Sequence, residues 1–331
     1  MRSFTYRATP FSEEYVFNLL KEGRFFAVAP FSNYHVSAIV EIRQENKYFY
    51  CLYFTNYETE DNNRDTTHGE QAALGGMMTY LGGNAKFSKL WIMAAPAGAI
   101  PEDQHSAAFS CGHCRQIIAS LAELGAMIYT VTLSGVFSRG YSVSELLPYA
   151  FSEKDLNLLP ANAKSDEWKA WDIANDEREL TPDQIKIYLK SLSPHIIEKQ
   201  FQTSPITAVI VKCSKYGVFC GFIPGVLIQE IAFTPTNPMN CVISNAIAEY
   251  GNDGLAFLEI YLASDSLNVK QFSSADIKLL SQQYVTNQTK IHVFSSHAYA
   301  LYTFMQCKDA MRKEIDQQLE KNVTCRTDIL L

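Results

Sequence analysis

The 331-residue chain has no excess of positive charge: Lys and Arg number 28 against 35 Asp and Glu, a formal net charge of −7. Nucleic-acid binders draw most of their affinity from Lys and Arg on phosphates, so no nucleic-acid partner is expected. A small, neutral or weakly charged ligand fits better. Long hydrophobic runs are missing too. Apolar stretches such as Leu90 to Ile100 and Gly125 to Phe137 fall short of the ~20 residues that a membrane span needs. No apolar segment follows a basic start in Met1 to Glu14, so neither a secretory leader nor a membrane partner is expected. Cysteine is sparse, at 8 residues scattered mostly through apolar segments. A disulfide scaffold would be denser, which points to a reduced, cytoplasmic compartment. What is present is a hydrophobic share of 47% with 19% charged residues, enough to bury a core and to exclude a disordered chain.

The order of elements repeats. In the first half, Ser12 as cap, Glu13 and Glu14 in the first turn, and Gly23 signal an opening helix. Val36 to Ile42 and Tyr48 to Phe54 read as a hairpin, His68 to Leu81 as a helix and Leu90 to Ala95 as a buried strand. Cys111 to Leu124 reads as a second helix and Met127 to Leu133 as another strand. In the second half, Ala208 to Lys212 and Val218 to Phe222 form a hairpin, followed by a helix near Asn240 to Tyr250. A strand at Leu258 to Ala263, a helix at Ala275 to Tyr284 and a strand at Ile291 to Phe294 complete the set. Two β-β-α-β-α-β units of one plan predict an α/β protein made by duplication, with two similar mixed sheets, flanked by helices, packed against each other.

The expected division is a catalytic unit at residues 1–151, a charged connecting arm with one helix at 152–204, a second unit at 205–295, and a C-terminal amphipathic helix and tail at 296–331. The arm's helix is introduced by the capping box Thr181-Pro182-Asp183-Gln184. In the tail, Leu301, Phe304, Met305, Met311, Ile315 and Leu319 recur at helical spacing, as in a helix packing its stripe on the body or a partner chain.

Two short motifs carry the chemistry: His68-Gly69-Glu70 opening one helix and Cys111-Gly112-His113-Cys114 opening the next. One imidazole and two thiols would leave a tetrahedral Zn²⁺ a fourth position for water, as in catalytic rather than structural sites. Helix starts favour thiolates, and Glu70 would stand beside that water without ligating the metal. Other readings of each piece exist. Thr67-x-x-Glu70 is a capping box, in which Glu70 merely reaches back to the helix start. His68 alone could be a polar surface residue. Cys-x-x-Cys at a helix start is also a thiol–disulfide oxidoreductase signal for Cys111 and Cys114, although that reading leaves His-x-Glu unexplained.

The combination resembles the zinc-dependent nucleoside deaminases, and more narrowly the two-domain, homodimeric bacterial cytidine deaminase family. The matching stretches are Pro30 to Val36, Asn56-Tyr57-Glu58, His68 to Ala72, Cys111 to Gln116, Leu147 to Leu156 and, in the second half, Ala232 to Pro238. The resemblance implies one Zn²⁺ per chain held by His68, Cys111 and Cys114, with Glu70 as the catalytic proton shuttle in the hydrolytic deamination of free cytidine and deoxycytidine. It implies that Asn56 and Glu58 hydrogen-bond the ribose, that Tyr34 and Gly69 line the pyrimidine site, and that Phe151 reaches a neighbouring subunit's pocket. The second half has neither His-x-Glu nor Cys-x-x-Cys and is expected to be a structural, pseudo-catalytic copy.

Three features depart from the family pattern. Gly69 stands where Ala is usual, and Ser110 where Pro is usual. The stretch from Pro96 to Phe109 is longer than expected, and it could reshape substrate choice or act as a lid. Alternatives to free cytidine are therefore a zinc-binding pseudoenzyme kept as a binding module and a deaminase of another nucleoside.

Overall fold

The structure is a computed structural model that describes residues 3–44, 46–58, 66–82, 85–101, 108–150, 181–192, 206–215, 219–226, 237–264, 276–277, 280–281, 284–295 and 298–313. Among them the strands form two sheets. In the first, strands β1 (Phe4–Arg7), β2 (Tyr34–Gln44), β3 (Lys47–Thr55), β4 (Phe87–Pro96), β5 (Ala122–Val131) and β6 (Tyr141–Ser142) lie in the order β1-β3-β2-β4-β5-β6. β2 and β3 are the expected hairpin. β4 and β5 run parallel, as a right-handed crossover through a helix requires.

Helices cover both faces because β2 alternates between two cores. Ala38, Val40 and Ile42 face α2 (Gly69–Leu81) and α3 (Gly112–Leu121). Ile39 faces α1 (Glu13–Gly23), whose Val16, Leu19 and Leu20 it meets. Ser12 caps α1, its hydroxyl accepting from the Tyr15 N–H at 3.2 Å. Gly76 brings α2 unusually close to the sheet: a Cβ there would sit within 2.2 Å of the Phe54 ring. α3 ends sooner than the sequence suggests. Residues Ala122 to Ala126 already belong to β5, where a register shift against β4 absorbs them, and a short α4 (Val143–Leu146) follows β6.

The second sheet takes the order β11-β10-β9-β7-β8 from β7 (Ile206–Lys215), β8 (Phe219–Val226), β9 (Ala256–Ser264), β10 (Lys290–Phe294) and β11 (Tyr299–Thr303). Helix α6 (Pro238–Tyr250) follows the β7–β8 hairpin, and the described residues between β9 and β10 include helical positions 276–277 and 280–281. β8-β7-β9-β10 thus repeats β3-β2-β4-β5, with an antiparallel hairpin and a parallel closing pair. The mixed α/β duplication is what the sequence pattern leads one to expect.

Three expectations need correcting. The two sheets do not pack face to face, because α2 and α6 lie between them. Ala248 of α6 joins the first core, and the Ser3 hydroxyl donates to Glu249 at 2.8 Å. Nor is the arm's helix, α5 (Pro182–Leu192), merely a connector. Its apolar stripe buries Ile185 and Leu189 against Ala208, Ile210, Tyr261 and Phe294, so it covers the second sheet as α1 covers the first. The rest of the arm lies outside the described residues. Finally, Leu301 is not helical. It sits on β11, paired with His292 of β10, because its tyrosine-rich neighbours favour a strand. A helix begins only at Phe304, whose ring is buried with Cys307 and whose Met311 packs on the second core; Ile315 and Leu319 fall outside the described residues.

Candidate active site

The site forms where two helices begin. The chain leaving β3 is laced between two neighbours: Asn56 O accepts from Val28 N, Glu58 N donates to Val28 O, and Tyr57 exchanges both backbone hydrogen bonds with Thr67. These bonds place Thr67, and with it the start of α2, beside the Asn56–Glu58 strip. His68 is the N-cap of α2, in extended conformation. Cys111 is the N-cap of α3. A ligand atom from each of His68, Cys111 and Cys114 lies within 4.8 Å of the other two, with His68 Nδ1 3.5 Å from Cys111 Sγ. Cys114 is fully buried and Cys111 is exposed, so one sulfur anchors the cluster and the other faces the opening.

The two thiols divide one charge between them. A hydrogen bond from Cys114, reinforced by His68, lowers Cys111 to about 3. The same bond, with burial and the nearby Glu70 carboxyl, pushes Cys114 upward. The Cys111 sulfur in turn raises the His68 imidazole. One thiolate is thus already present. A divalent cation replacing the shared proton would let both sulfurs ionise, and a soft imidazole–dithiolate set suits zinc. The residues fit the ion. Cys111 and Cys114 are not joined in a disulfide.

Glu70, Gln71 and Gly69 are all buried in the first turn of α2. The capping-box reading of Glu70 does not hold. The helix starts one residue later than Thr67, and Gln71 reaches back, its Oε1 accepting from the His68 N–H at 2.8 Å. Glu70 is therefore released from capping and faces the Cys114 thiol. Ser110 does not cap α3 either; its hydroxyl is buried without a hydrogen-bond partner. Its carbonyl accepts from Arg115 Nε at 2.7 Å, and Arg115 Nη1 also holds the Leu146 carbonyl.

The residues expected to meet a nucleoside occupy one end of β2. Asn56 is buried, and its side chain extends the β2–β3 ladder: Oδ1 accepts from Val36 N and Nδ2 donates to Tyr34 O, each at 2.9 Å. One N–H and one lone pair remain for a ligand. Glu58 is also buried, accepting from Phe31 N, Ser32 N and the Ser32 hydroxyl. Three of its roughly four acceptor positions are used, so it holds the 31–32 loop as well as offering an oxygen. Tyr34 shares the parity of Val36, which abuts Gly69, and its hydroxyl donates to Ala94 O. Phe151 lies outside the described residues, as do residues 102–107 of the 96–109 stretch.

Sequence reasoning gave no role to Arg24, Gln71 or His113. Arg24 is buried, with Nη2 donating to the Ala95 and Pro96 carbonyls at 3.1 and 2.9 Å, which ties down the end of β4 where the long 96–109 stretch begins. No local pattern announces a buried Arg. Gln71 could have been found, since it stands three residues past the true cap. In the second half, Asn237 caps α6 as His68 caps α2, and its Nδ2 donates to buried Asp276 at 2.8 Å. An Asn–Asp hydrogen bond thus stands in the second half where the first gathers His68, Cys111 and Cys114.

A duplicated α/β unit thus gathers an imidazole, two thiols and a carboxyl at two adjoining helix starts. No family model matches the chain. It is similar to the cytidine deaminase of Shewanella sp. (strain W3-18-1), at 26% identity over 243 residues, covering 70% of this chain and 67% of that one. Among solved structures, the cytidine deaminase from Burkholderia pseudomallei matches 43% of this chain and 100% of its own, at 23% identity and TM-score 0.33. The cytidine deaminase from Mycobacterium tuberculosis matches 41% and 94%, at 18% identity and TM-score 0.31. Over 70% of its length, the chain is thus similar in sequence to a cytidine deaminase. Among the described residues no helix is long and apolar enough to cross a membrane.

Proposed function

We propose that this chain hydrolyses free cytidine and deoxycytidine to uridine and deoxyuridine, releasing ammonia, as a step of pyrimidine salvage in the cytoplasm. The observation that carries the reading is the convergence of His68, Cys111 and Cys114 within 4.8 Å, with the Glu70 carboxyl buried beside them. These three side chains would hold one Zn²⁺. When bound, zinc supplies a Lewis acid that makes water acidic near pH 7. Glu70 accepts one proton from the attacking water and passes it to N3 of the base, then carries the second proton of that water to the departing amine, which leaves as ammonia. Its burial at 5% exposure keeps bulk water from competing for that proton. Asn56, with one N–H and one lone pair in reserve, and Glu58 bind the ribose hydroxyls. Tyr34 packs along the pyrimidine, and Gly69 leaves room beside it. A homodimer, in which Phe151 reaches the neighbouring pocket, follows from the family resemblance, as does the division into a catalytic half and a structural copy.

A second reading, thiol–disulfide exchange at Cys111, is favoured by one observation: an exposed, low-pKa sulfur next to a buried thiol. It leaves the buried Glu70 without purpose. A nucleoside panel separates the readings. Cytidine and deoxycytidine turned over with ammonia release, and adenosine and a cytosine-containing oligonucleotide left intact, supports deamination of the free nucleoside. Insulin-type disulfide reduction without any nucleoside turnover would replace it with the second reading.

A further inference from the structure

The metal ligands come from two helices, and a single side chain ties those helices together at the ligands themselves. Gln71 Oε1 accepts from the backbone N–H of His68 at 2.8 Å. That donor fixes the orientation of the amide, because only the oxygen can accept. Gln71 Nε2 therefore faces His113, and the two nitrogens are 2.9 Å apart. An amide nitrogen only donates, so His113 Nε2 is the acceptor and His113 is the neutral tautomer protonated at Nδ1. The His113 ring also lies nearly parallel to that of His68, with centroids 6.1 Å apart and 16° between planes. His113 stands between Cys111 and Cys114 in sequence, whereas Gln71 is itself buried on α2.

We infer that Gln71 and His113 form a strut that sets the distance between the imidazole and dithiol donors, making both positioning residues for the bound metal. This rests on the metal reading above. It assigns His113 a purpose other than ligation: its ring nitrogens are not among the atoms that converge from His68, Cys111 and Cys114. Groups that orient metal ligands affect affinity by about 10–100-fold when removed. The strut acts across the gap between α2 and α3.

The test uses the full chain loaded with Zn²⁺, with affinity measured by competition with a chromophoric chelator, and with Co²⁺ as a spectroscopic stand-in. His113 is exposed, so substitution there leaves the fold intact. His113→Phe, which removes the acceptor, should weaken zinc about 10–100-fold and shift the Co²⁺ visible bands. His113→Asn, which restores an acceptor, should recover most of the affinity. Gln71→Leu should weaken zinc at least as much, and adding His113→Phe to it should weaken zinc no further. Wild-type affinity and an unchanged Co²⁺ spectrum in His113→Phe would overturn the strut, as would fully additive losses in the double variant. A wild-type chain that takes up no zinc would overturn the metal reading, and the strut with it.

Discussion

Gly69 and Val36 share a space that admits no further carbon: a Cβ on Gly69 would stand 2.8 Å from Val36 Cγ1 and 3.3 Å from Val36 Cβ. The helix start that presents Glu70 is thus seated directly on β2. Valine has little rotamer freedom with which to yield. Gly69→Ala should therefore be destabilising by about 1–3 kcal/mol from overpacking, despite the helix propensity of alanine. Val36→Ala in the same chain should recover most of that loss. Thermal unfolding of the two single variants and the double variant checks this, and a Gly69→Ala chain as stable as wild type would contradict the seating.

Glu70 is released from helix capping by Gln71, which makes its carboxyl available for proton transfer. Glu70→Gln keeps size and burial but cannot carry the proton. Turnover of cytidine should fall by at least about 10²–10⁴-fold, while zinc content per chain is unchanged. Loss of zinc from this variant would show that Glu70 supports the metal site instead.

Metal-free protein should expose a reactive sulfur. Because Cys111 is lowered to about 3, it is fully thiolate across pH 5–8, and its alkylation rate should be flat over that range. An ordinary thiol would react about tenfold faster for each added pH unit. Buried Cys114, shifted the other way, should resist alkylation. Zinc should protect Cys111. Peptide mapping after iodoacetamide treatment reads all three results.

Tyr57 links the second half to the Asn56–Glu58 strip. Its neighbours Asn56 and Glu58 face the β2 end, whereas the Tyr57 ring is buried in the second core, 6.1 Å from Tyr284. Tyr57→Ala should loosen the strip and raise KM for cytidine severalfold, with zinc content intact. An unchanged KM would deny the second half a part in shaping the site.

Much of this was legible in the sequence because it was written in periodicity and in local motifs. The alternation of Ala38, Val40 and Ile42 against Ile39 gives β2 its two faces, and two motifs at helix starts locate the donors. What the sequence hid was the competition between neighbouring signals. Thr67 and Glu70 spell a capping box, yet the bonds from Tyr57 to Thr67 hold that residue extended and move the cap to His68. Gln71 thereby inherits the role expected of Glu70. Leu301 matched a helical stripe only because strand and helix spacings coincide over so few positions; its pairing with His292 is a tertiary fact. The buried Arg24 and the His113 contact depend on segments far apart in the chain.

The account rests on a metal-dependent deamination, and the absorbance of cytidine reports it most directly. The zinc-loaded chain should convert cytidine to uridine with loss of that absorbance. Chelation should stop the conversion, and restoring zinc should revive it. Turnover that survives complete removal of the metal, or zinc-loaded protein that leaves cytidine unchanged, would contradict it.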